Sequence, residues 1–143
     1  MATLSPYIAF RGQAREALEF YRSALGGELS IMSYSDLGEA MPAPPGAEDL
    51  VMHGKLTLED GLVLMASDTP EGVDYEPPTS GVTVAMSGSA DELDRLRGAF
   101  DALAQGGRPG VPLEKALWGD YFGQFTDKYG VSWMFDIGDE AGV

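Results

Sequence analysis

The sequence contains no cysteine and one histidine, His53, among its 143 residues. Without cysteine, the chain cannot form a disulfide framework, a thiolate zinc site or a cysteine nucleophile. One imidazole cannot supply several nitrogen ligands, and an open catalytic zinc centre typically has three protein ligands. The cysteine chemistries are excluded, and His53 is the best candidate for a general base.

Basic residues are scarce as well. Nine Lys and Arg stand against 23 Asp and Glu, which gives a formal net charge of −14 at pH 7. This excess of negative charge repels nucleic acid and anionic membrane surfaces. It also favours a cationic ligand over an anionic one. A solvated acidic surface is the simpler explanation of the charge. We therefore expect neither a nucleic-acid partner nor a membrane partner.

Long apolar runs are also absent. The longest, Leu62–Ala66 and Val82–Met86, have the length of strands, whereas a membrane helix needs about 20 apolar residues. No basic region followed by an apolar run stands at the N-terminus. We therefore expect no signal peptide and a cytoplasmic location.

Two segments have the apolar spacing of helices with one buried face. The first covers residues 12–26, and the second begins after Ser89 and Glu92, which have the spacing of a capping box. Each predicted helix follows a short apolar strand, at residues 6–10 and 82–86. Both are followed by glycine pairs, which suit a helix C-terminus.

The segment Thr57–Met65 resembles Thr126–Met134 in its pattern. Each has a strand end, a glycine turn and a returning strand with a methionine four residues past the glycine. An internal duplication of strand, helix and three strands explains both similarities and predicts an α+β fold. We place module one at residues 1–68, a linker at 69–80 and module two at 81–137, within a single domain of residues 1–143.

Two proline-rich loops lie outside the duplication, at residues 35–49 and 68–80. The first is predicted to join the second and third strands of module one, and the second to link the modules. Loops of this length are uncommon unless they cover a site or are mobile. The sequence leaves both alternatives, a lid and a disordered loop, open.

The predicted strands are apolar at positions of both parities, as in Leu62–Ala66, Val82–Met86 and Val131–Phe135. A sheet with helices on one face and water on the other should alternate apolar and polar residues. The face turned away from the helices is therefore predicted to line a dry pocket, a subunit interface, or both.

Six stretches of the chain form a specific combination of motifs: Leu4–Phe10, Ala14–Leu29, Met52–Leu56, Leu64–Asp68, Trp118–Gly123 and Thr126–Met134. Together they resemble the PhnB-like branch of the vicinal oxygen chelate superfamily, which includes glyoxalases, bleomycin-resistance proteins and ring-cleaving dioxygenases. The resemblance runs nearly end to end. It implies two βαβββ modules that form an eight-stranded, cup-shaped mixed sheet with the helices outside.

In metal-using relatives, the resemblance implies His or Glu ligands on the first and last strands of each module. The aligned positions here are Pro6, Met65, Val82 and Met134. Proline and valine offer no side-chain donor and thioethers are soft ligands, so none of them suits a hard divalent cation. We therefore expect no metal and no other cofactor. A metal held by His53 with carboxylates such as Asp120 or Asp127 is the alternative.

The preferred hypothesis is a metal-independent protein that binds and sequesters a small apolar, planar or cationic molecule in an apolar aromatic cup. This is what a resemblance to the bleomycin-resistance proteins implies, and it would make antibiotic resistance the biological role. The ring and methionine side chains would form the walls, and the polar groups would orient the ligand. The candidate ligand-binding residues are Tyr34, His53, Met65, Trp118, Tyr121, Phe122 and Met134.

Two alternatives remain. One is a lyase or isomerase of the superfamily that uses His53 as its base or has an atypical metal site. The other is a structural dimer whose pocket has no physiological ligand. We expect a homodimer, because a symmetric pair would bury the second apolar face of the sheets. A resemblance in fold cannot separate these functions, since one scaffold can host several chemistries.

Overall fold

The structure, a computed structural model, describes residues 2–78 and 81–139. Thr79 and Ser80, the last two residues of the predicted linker, lie outside the described residues. The chain divides into two compact units, Met1–Pro78 and Thr79–Val143. Each unit contains a strand, a helix and three further strands, which confirms the predicted α+β fold of two βαβββ modules.

The first unit is built on a four-stranded mixed sheet with the strand order β1-β4-β3-β2. The first strand is parallel to the fourth, and the other neighbours are antiparallel. A 3-10 turn at Tyr34–Ala40 begins the first proline-rich loop, which joins β2 to β3 as predicted. The regular elements are β1 (Tyr7–Phe10), α1 (Ala14–Leu25), β2 (Glu28–Ser33), β3 (Val51–Thr57) and β4 (Val63–Asp68).

The second unit repeats this topology with the order β5-β8-β7-β6, again with its first and last strands parallel. A 3-10 turn at Ala90–Glu92 leads into its helix. The eight predicted strands therefore form two four-stranded sheets. The elements are β5 (Thr83–Gly88), α2 (Leu93–Ala104), β6 (Arg108–Lys115), β7 (Tyr121–Thr126) and β8 (Ser132–Ile137).

Each helix packs closely on its sheet over a glycine. In the first unit, a Cβ atom at Gly54 would clash with the side chain of Leu18 on α1. In the second unit, a Cβ atom at Gly123 would clash with the ring of Phe100 on α2. The two glycines hold equivalent sheet positions, since their partners Ala66 and Phe135 lie at the same distance beyond the two hairpin turns. The duplication thus extends to the helix contact.

The helix and turn signals in the sequence are confirmed. The Ser89 backbone N–H donates to Glu92 at 3.0 Å in the predicted capping box. The two hairpin turns have the same backbone hydrogen bonds, and Gly61 and Gly130 both have the positive φ that favours glycine there. None of the helices in the described part of the chain is long and apolar enough to cross a membrane.

Candidate functional site

Each sheet has one face that packs on its helix and an opposite face, which we call the helix-free face. Side chains alternate between these faces along every strand, so the strand registers assign each residue to one of them. The helix-free face of the first unit carries Tyr7, Ala9, Ser30, Met32, His53, Lys55, Met65 and Ser67. That of the second unit carries Ala85, Ser87, Glu114, Phe122, Gln124, Ser132, Met134 and Asp136.

Met65 and Met134 hold equivalent places on these faces. The cross-strand partners are Tyr7 and Lys55 for Met65, and Ala85 and Gln124 for Met134. Pro6 and Val82 immediately precede β1 and β5. The four positions at which the resemblance implies metal ligands therefore do not fit a hard divalent cation. Within residues 2–78 and 81–139, no three His, Asp or Glu side chains are grouped closely enough to hold a metal ion.

The first unit brings Tyr7, Tyr34 and His53 together in what we call the tyrosine–histidine cluster. The Tyr7 hydroxyl lies 3.3 Å from Nδ1 of His53, and their ring centroids are 5.8 Å apart. The Tyr34 hydroxyl donates a hydrogen bond to the Asp68 carbonyl oxygen at 3.2 Å. Burial, the neighbouring Tyr7 and the charge of Asp68 raise the pKa of Tyr34, so that its hydroxyl stays protonated and can donate.

The second unit contains a tryptophan–carboxyl cluster formed by Trp118, Asp120, Phe122 and Asp136. The Trp118 and Phe122 rings meet edge to face, with centroids 5.6 Å apart at 69°. The Trp118 side chain also forms a hydrogen bond with Asp136, which is the cross-strand partner of Phe122. Trp118 is 49% exposed, whereas Asp120 and Asp136 are only 1% and 4% exposed. A half-exposed indole therefore forms a hydrogen bond with one member of a buried pair of carboxyl groups.

The carboxyl groups of Asp120 and Asp136 interact directly. Burial raises the pKa of Asp136, and the charge of Asp120 and a hydrogen bond with it raise that pKa further, while the bond with Trp118 lowers it. The Asp136 Oδ1 atom is buried and has no hydrogen-bond partner. The Asp136 carboxyl group therefore keeps its proton to a higher pH than an isolated one.

The predicted ligand-binding residues divide between these clusters, with one exception. Tyr34 and His53 lie in the first cluster, with Met65 on the same face as His53. Trp118 and Phe122 lie in the second, and Met134 shares their face.

Tyr121 is the exception, because it points to the helix side of its sheet. Its cross-strand partner is the buried Ile137, and the guanidinium carbon of Arg97 on α2 lies 5.6 Å from its ring centroid. There it lines a cavity of about 220 Å³ with Lys115 and Asp139. This volume is below the 300 to 1,000 Å³ typical of ligand pockets. The structure thus separates Tyr121 from the other candidates.

Sequence reasoning missed Tyr7 and Asp136, and it considered Asp120 only as a metal ligand. A signal for Asp136 was present in the sequence, because it is the one charged residue in strand β8. Strand alternation from Met134 places it on the same face. Tyr7 follows from its pairing with Met65 in the parallel register of β1 and β4, which the sequence does not fix.

Both proline-rich loops are tied to the first unit. In residues 35–49, the backbone N–H of Ser35 donates to the Glu48 carbonyl oxygen at 3.1 Å, and Ala47 is buried. In the second loop, the Arg11 guanidinium donates to the carbonyl oxygens of Pro70 and Val73. Its carbon atom also lies 4.8 Å from the centre of the Tyr75 ring. The parts of the two loops that make these contacts are therefore ordered.

Known proteins resemble this chain along nearly its whole length. It is 27% identical over 143 residues to protein YjdN of Escherichia coli strain K12, and the match covers 94% of each chain. The crystal structure of protein PA1353 from Pseudomonas aeruginosa has 35% identity and a TM-score of 0.81, with 96% of this chain and 98% of that one covered. The PhnB protein of Bacillus cereus has 27% identity and a TM-score of 0.70, with 96% and 100% covered.

The family comparison agrees with the duplicated fold. Residues 3–135 match the model of the glyoxalase, bleomycin resistance protein and dioxygenase superfamily. This span contains all of β1 to β7 and most of β8. The chain belongs to the glyoxalase/bleomycin resistance protein/dioxygenase superfamily.

Proposed function

We propose that this protein binds a small molecule on its helix-free faces without a metal ion, and sequesters it rather than converting it. Trp118 carries the proposal, because its indole is half exposed yet held by Phe122 and by a hydrogen bond with Asp136. A rigid aromatic ring with one packed surface and one open surface is typical of a ligand contact.

The remaining residues suit subsidiary roles. Tyr7, Tyr34 and His53 offer hydrogen-bonding groups that would fix the orientation of a ligand on the first unit. Met65 and Met134 are partly buried at the centres of their faces, and their flexible thioethers can adapt to an apolar surface. In a cytoplasmic setting, a protein that sequesters a toxic aromatic compound would provide antibiotic resistance.

Tryptophan fluorescence gives a direct test. The chain has two tryptophans, and the second, Trp133, is fully buried with its Nε1 donating to Asp127 at 2.9 Å. A ligand that changes the emission of the native protein would therefore report on Trp118. We expect members of a panel of planar aromatic compounds to change the emission and to raise the melting temperature.

Two variants make this test specific. Trp118→Ala should abolish both the fluorescence response and the thermal shift. Leu117→Ala is the matched control, because Leu117 lies in the same turn and its side chain is fully exposed; it should leave both signals in place. A panel in which no compound stabilises the protein would refute the proposal and favour a structural role.

A lyase or isomerase reaction is a second candidate function, favoured by the 3.3 Å contact between the Tyr7 hydroxyl and His53. A tyrosine so placed can orient an imidazole that removes a proton from a substrate. The compounds found in the fluorescence screen would be incubated with the protein and analysed by mass spectrometry. Conversion that His53→Asn abolishes, with binding retained, would establish the enzyme and overturn sequestration.

A homodimer is part of the proposal. Tyr7 and Trp118 are each about half exposed and Met32 is 41% exposed, and a two-fold pair could bury such apolar surface. Size-exclusion chromatography with light scattering should give twice the chain mass of 15.2 kDa. A monomer at micromolar concentration would contradict this part and leave ligand binding to be judged by the fluorescence test.

A further inference from the structure

The tryptophan–carboxyl cluster of the second unit also bears on the charge of the ligand. Its two carboxyl groups are buried next to the start of β7 and near the end of β8, while the indole that contacts Asp136 is half exposed. Buried carboxyl groups are normally paired with a cation or fully hydrogen-bonded. Two other buried aspartates, Asp68 and Asp127, each accept hydrogen bonds from at least three N–H groups.

Asp136 differs from those structural carboxylates. Its contacts are with Trp118 and with a second acid, Asp120, and its Oδ1 atom is buried without any hydrogen-bond partner. Burial raises the pKa of Asp136, and the charge of Asp120 and the hydrogen bond with it raise that pKa further. The buried Oδ1 atom of Asp136 is therefore left to balance a positive charge that a ligand would bring.

We propose that the tryptophan–carboxyl cluster selects a cationic ligand, an aromatic amidinium, guanidinium or ammonium compound, whose charge lies over Trp118 and is balanced by Asp136. This inference rests on the proposed binding function and names its ligand class. Tryptophan is the best cation–π partner among the side chains. Its N–H bond with a carboxyl group strengthens that role, because the bond draws negative charge toward the ring.

The net charge of −14 acts in the same direction but is not specific to this site. A matched pair of residues separates the two effects. Phe122 has Asp136 as its cross-strand partner on one side and Glu114 on the other. Glu114 is exposed, whereas Asp136 is buried beside Trp118. Removing either carboxylate changes the net charge equally.

The test uses benzamidinium and its neutral isostere benzamide as probes of the full-length protein. Fluorescence titration should show benzamidinium binding at least about tenfold more tightly than benzamide, which is the size of a well-placed cation–π contact. Asp136→Asn should remove that preference, while Glu114→Gln should weaken benzamidinium binding less than about twofold. Circular dichroism would verify that both variants are folded.

Two results would overturn the inference. One is equal affinity for the two probes, and the other is an equal loss of benzamidinium binding in both variants, which would show that only the overall charge matters. Failure of the inference remains distinct from failure of the proposed function. If neutral aromatic compounds stabilise the protein through Trp118 and benzamidinium does not, binding stands and cation selection is wrong.

Discussion

At the scale of single residues, the buried aspartates show how the same side chain takes different roles. The Asp68 carboxylate accepts backbone N–H bonds from Gly12, Ala14 and Val51 at 2.8 to 3.0 Å, and so holds the start of α1 to β3 and β4. Hydrogen bonds of this kind stabilise a buried charge. Asp136 has no such set of donors, and its stability therefore depends on pH in a different way.

We predict that Asp136→Asn stabilises the protein near neutral pH, by on the order of 1 kcal/mol. Burial and Asp120 raise the pKa of Asp136 above its ordinary value of 3.8. A carboxyl group whose pKa is raised on folding contributes to the free energy of unfolding. This contribution is fully present below the pKa of the unfolded state and is lost as pH rises through the pKa of the folded state. The advantage of the variant should therefore grow between pH 4 and pH 8 in urea denaturation.

Glu92 supplies a control of opposite sign. The backbone N–H of Ser89, followed by Arg95, lowers the pKa of Glu92. The contribution of Glu92 to the free energy of unfolding is therefore present above its pKa in the unfolded state. It is lost as pH falls through its pKa in the folded state. Glu92→Gln should be less stable than the native protein at pH 7, and this difference should shrink in acid. A difference for Asp136→Asn that does not change with pH would show that its carboxyl group titrates normally.

At the scale of elements, the close approach of each helix to its sheet depends on glycine. We predict that Gly54→Ala destabilises the protein by about 1 to 3 kcal/mol, because the added methyl group would overlap Leu18 of α1. Gly98→Ala is the control, since Gly98 lies within α2 and a Cβ there meets nothing within 4 Å. It should stabilise the protein by about 0.5 to 1 kcal/mol. Thermal unfolding of both variants would show whether the signs are opposite.

The second proline-rich loop is held to the first unit by Arg11. We predict that Arg11→Ala accelerates chymotrypsin cleavage after Tyr75 several-fold, because the hydrogen bonds to Pro70 and Val73 and the contact with the Tyr75 ring are lost. Arg15→Ala, on the exposed side of α1, should leave the cleavage rate unchanged. Equal rates in both variants would show that Arg11 does not anchor the loop.

The elements were predictable from the sequence because their signals are local. The capping box at Ser89 and the turn glycines Gly61 and Gly130 act over a few residues, and each is present in the structure. The same holds for the helix spacing, since the predicted buried face of α1 is present and includes the fully buried Leu18 and Tyr21.

The site was less predictable, because it depends on strand register. Tyr121 and Phe122 are adjacent in a strand and must point to opposite faces. Their assignment follows from pairing with Ile137 and Asp136 of β8, which no local motif specifies. Asp136 likewise has a hydrogen-bond partner, Trp118, that comes from a turn rather than from a strand. Composition could indicate an aromatic surface but not these contacts.

At the scale of the whole molecule, the excess of carboxylates is offset by few basic groups, and several of these have internal partners. Arg95 forms an ion pair with Glu92 at 2.7 Å, Arg97 donates to the Leu113 carbonyl oxygen at 3.3 Å, and Arg11 is held by the second loop. Repulsion among the remaining acidic groups should oppose the folded state, because folding brings like charges closer together.

We predict that salt stabilises this protein at neutral pH. Raising sodium chloride from 0.01 to 0.3 M shortens the screening length from about 30 Å to below 10 Å and weakens the repulsion that a net charge of −14 creates. We expect a gain on the order of 1 kcal/mol, or about 3 °C in Tm for a chain of this size. Repeating the scan near the isoelectric point of about 4.1 is the control. There the net charge is close to zero and the gain should vanish, whereas an equal gain at both pH values would show that the salt acts through hydrophobic burial rather than screening.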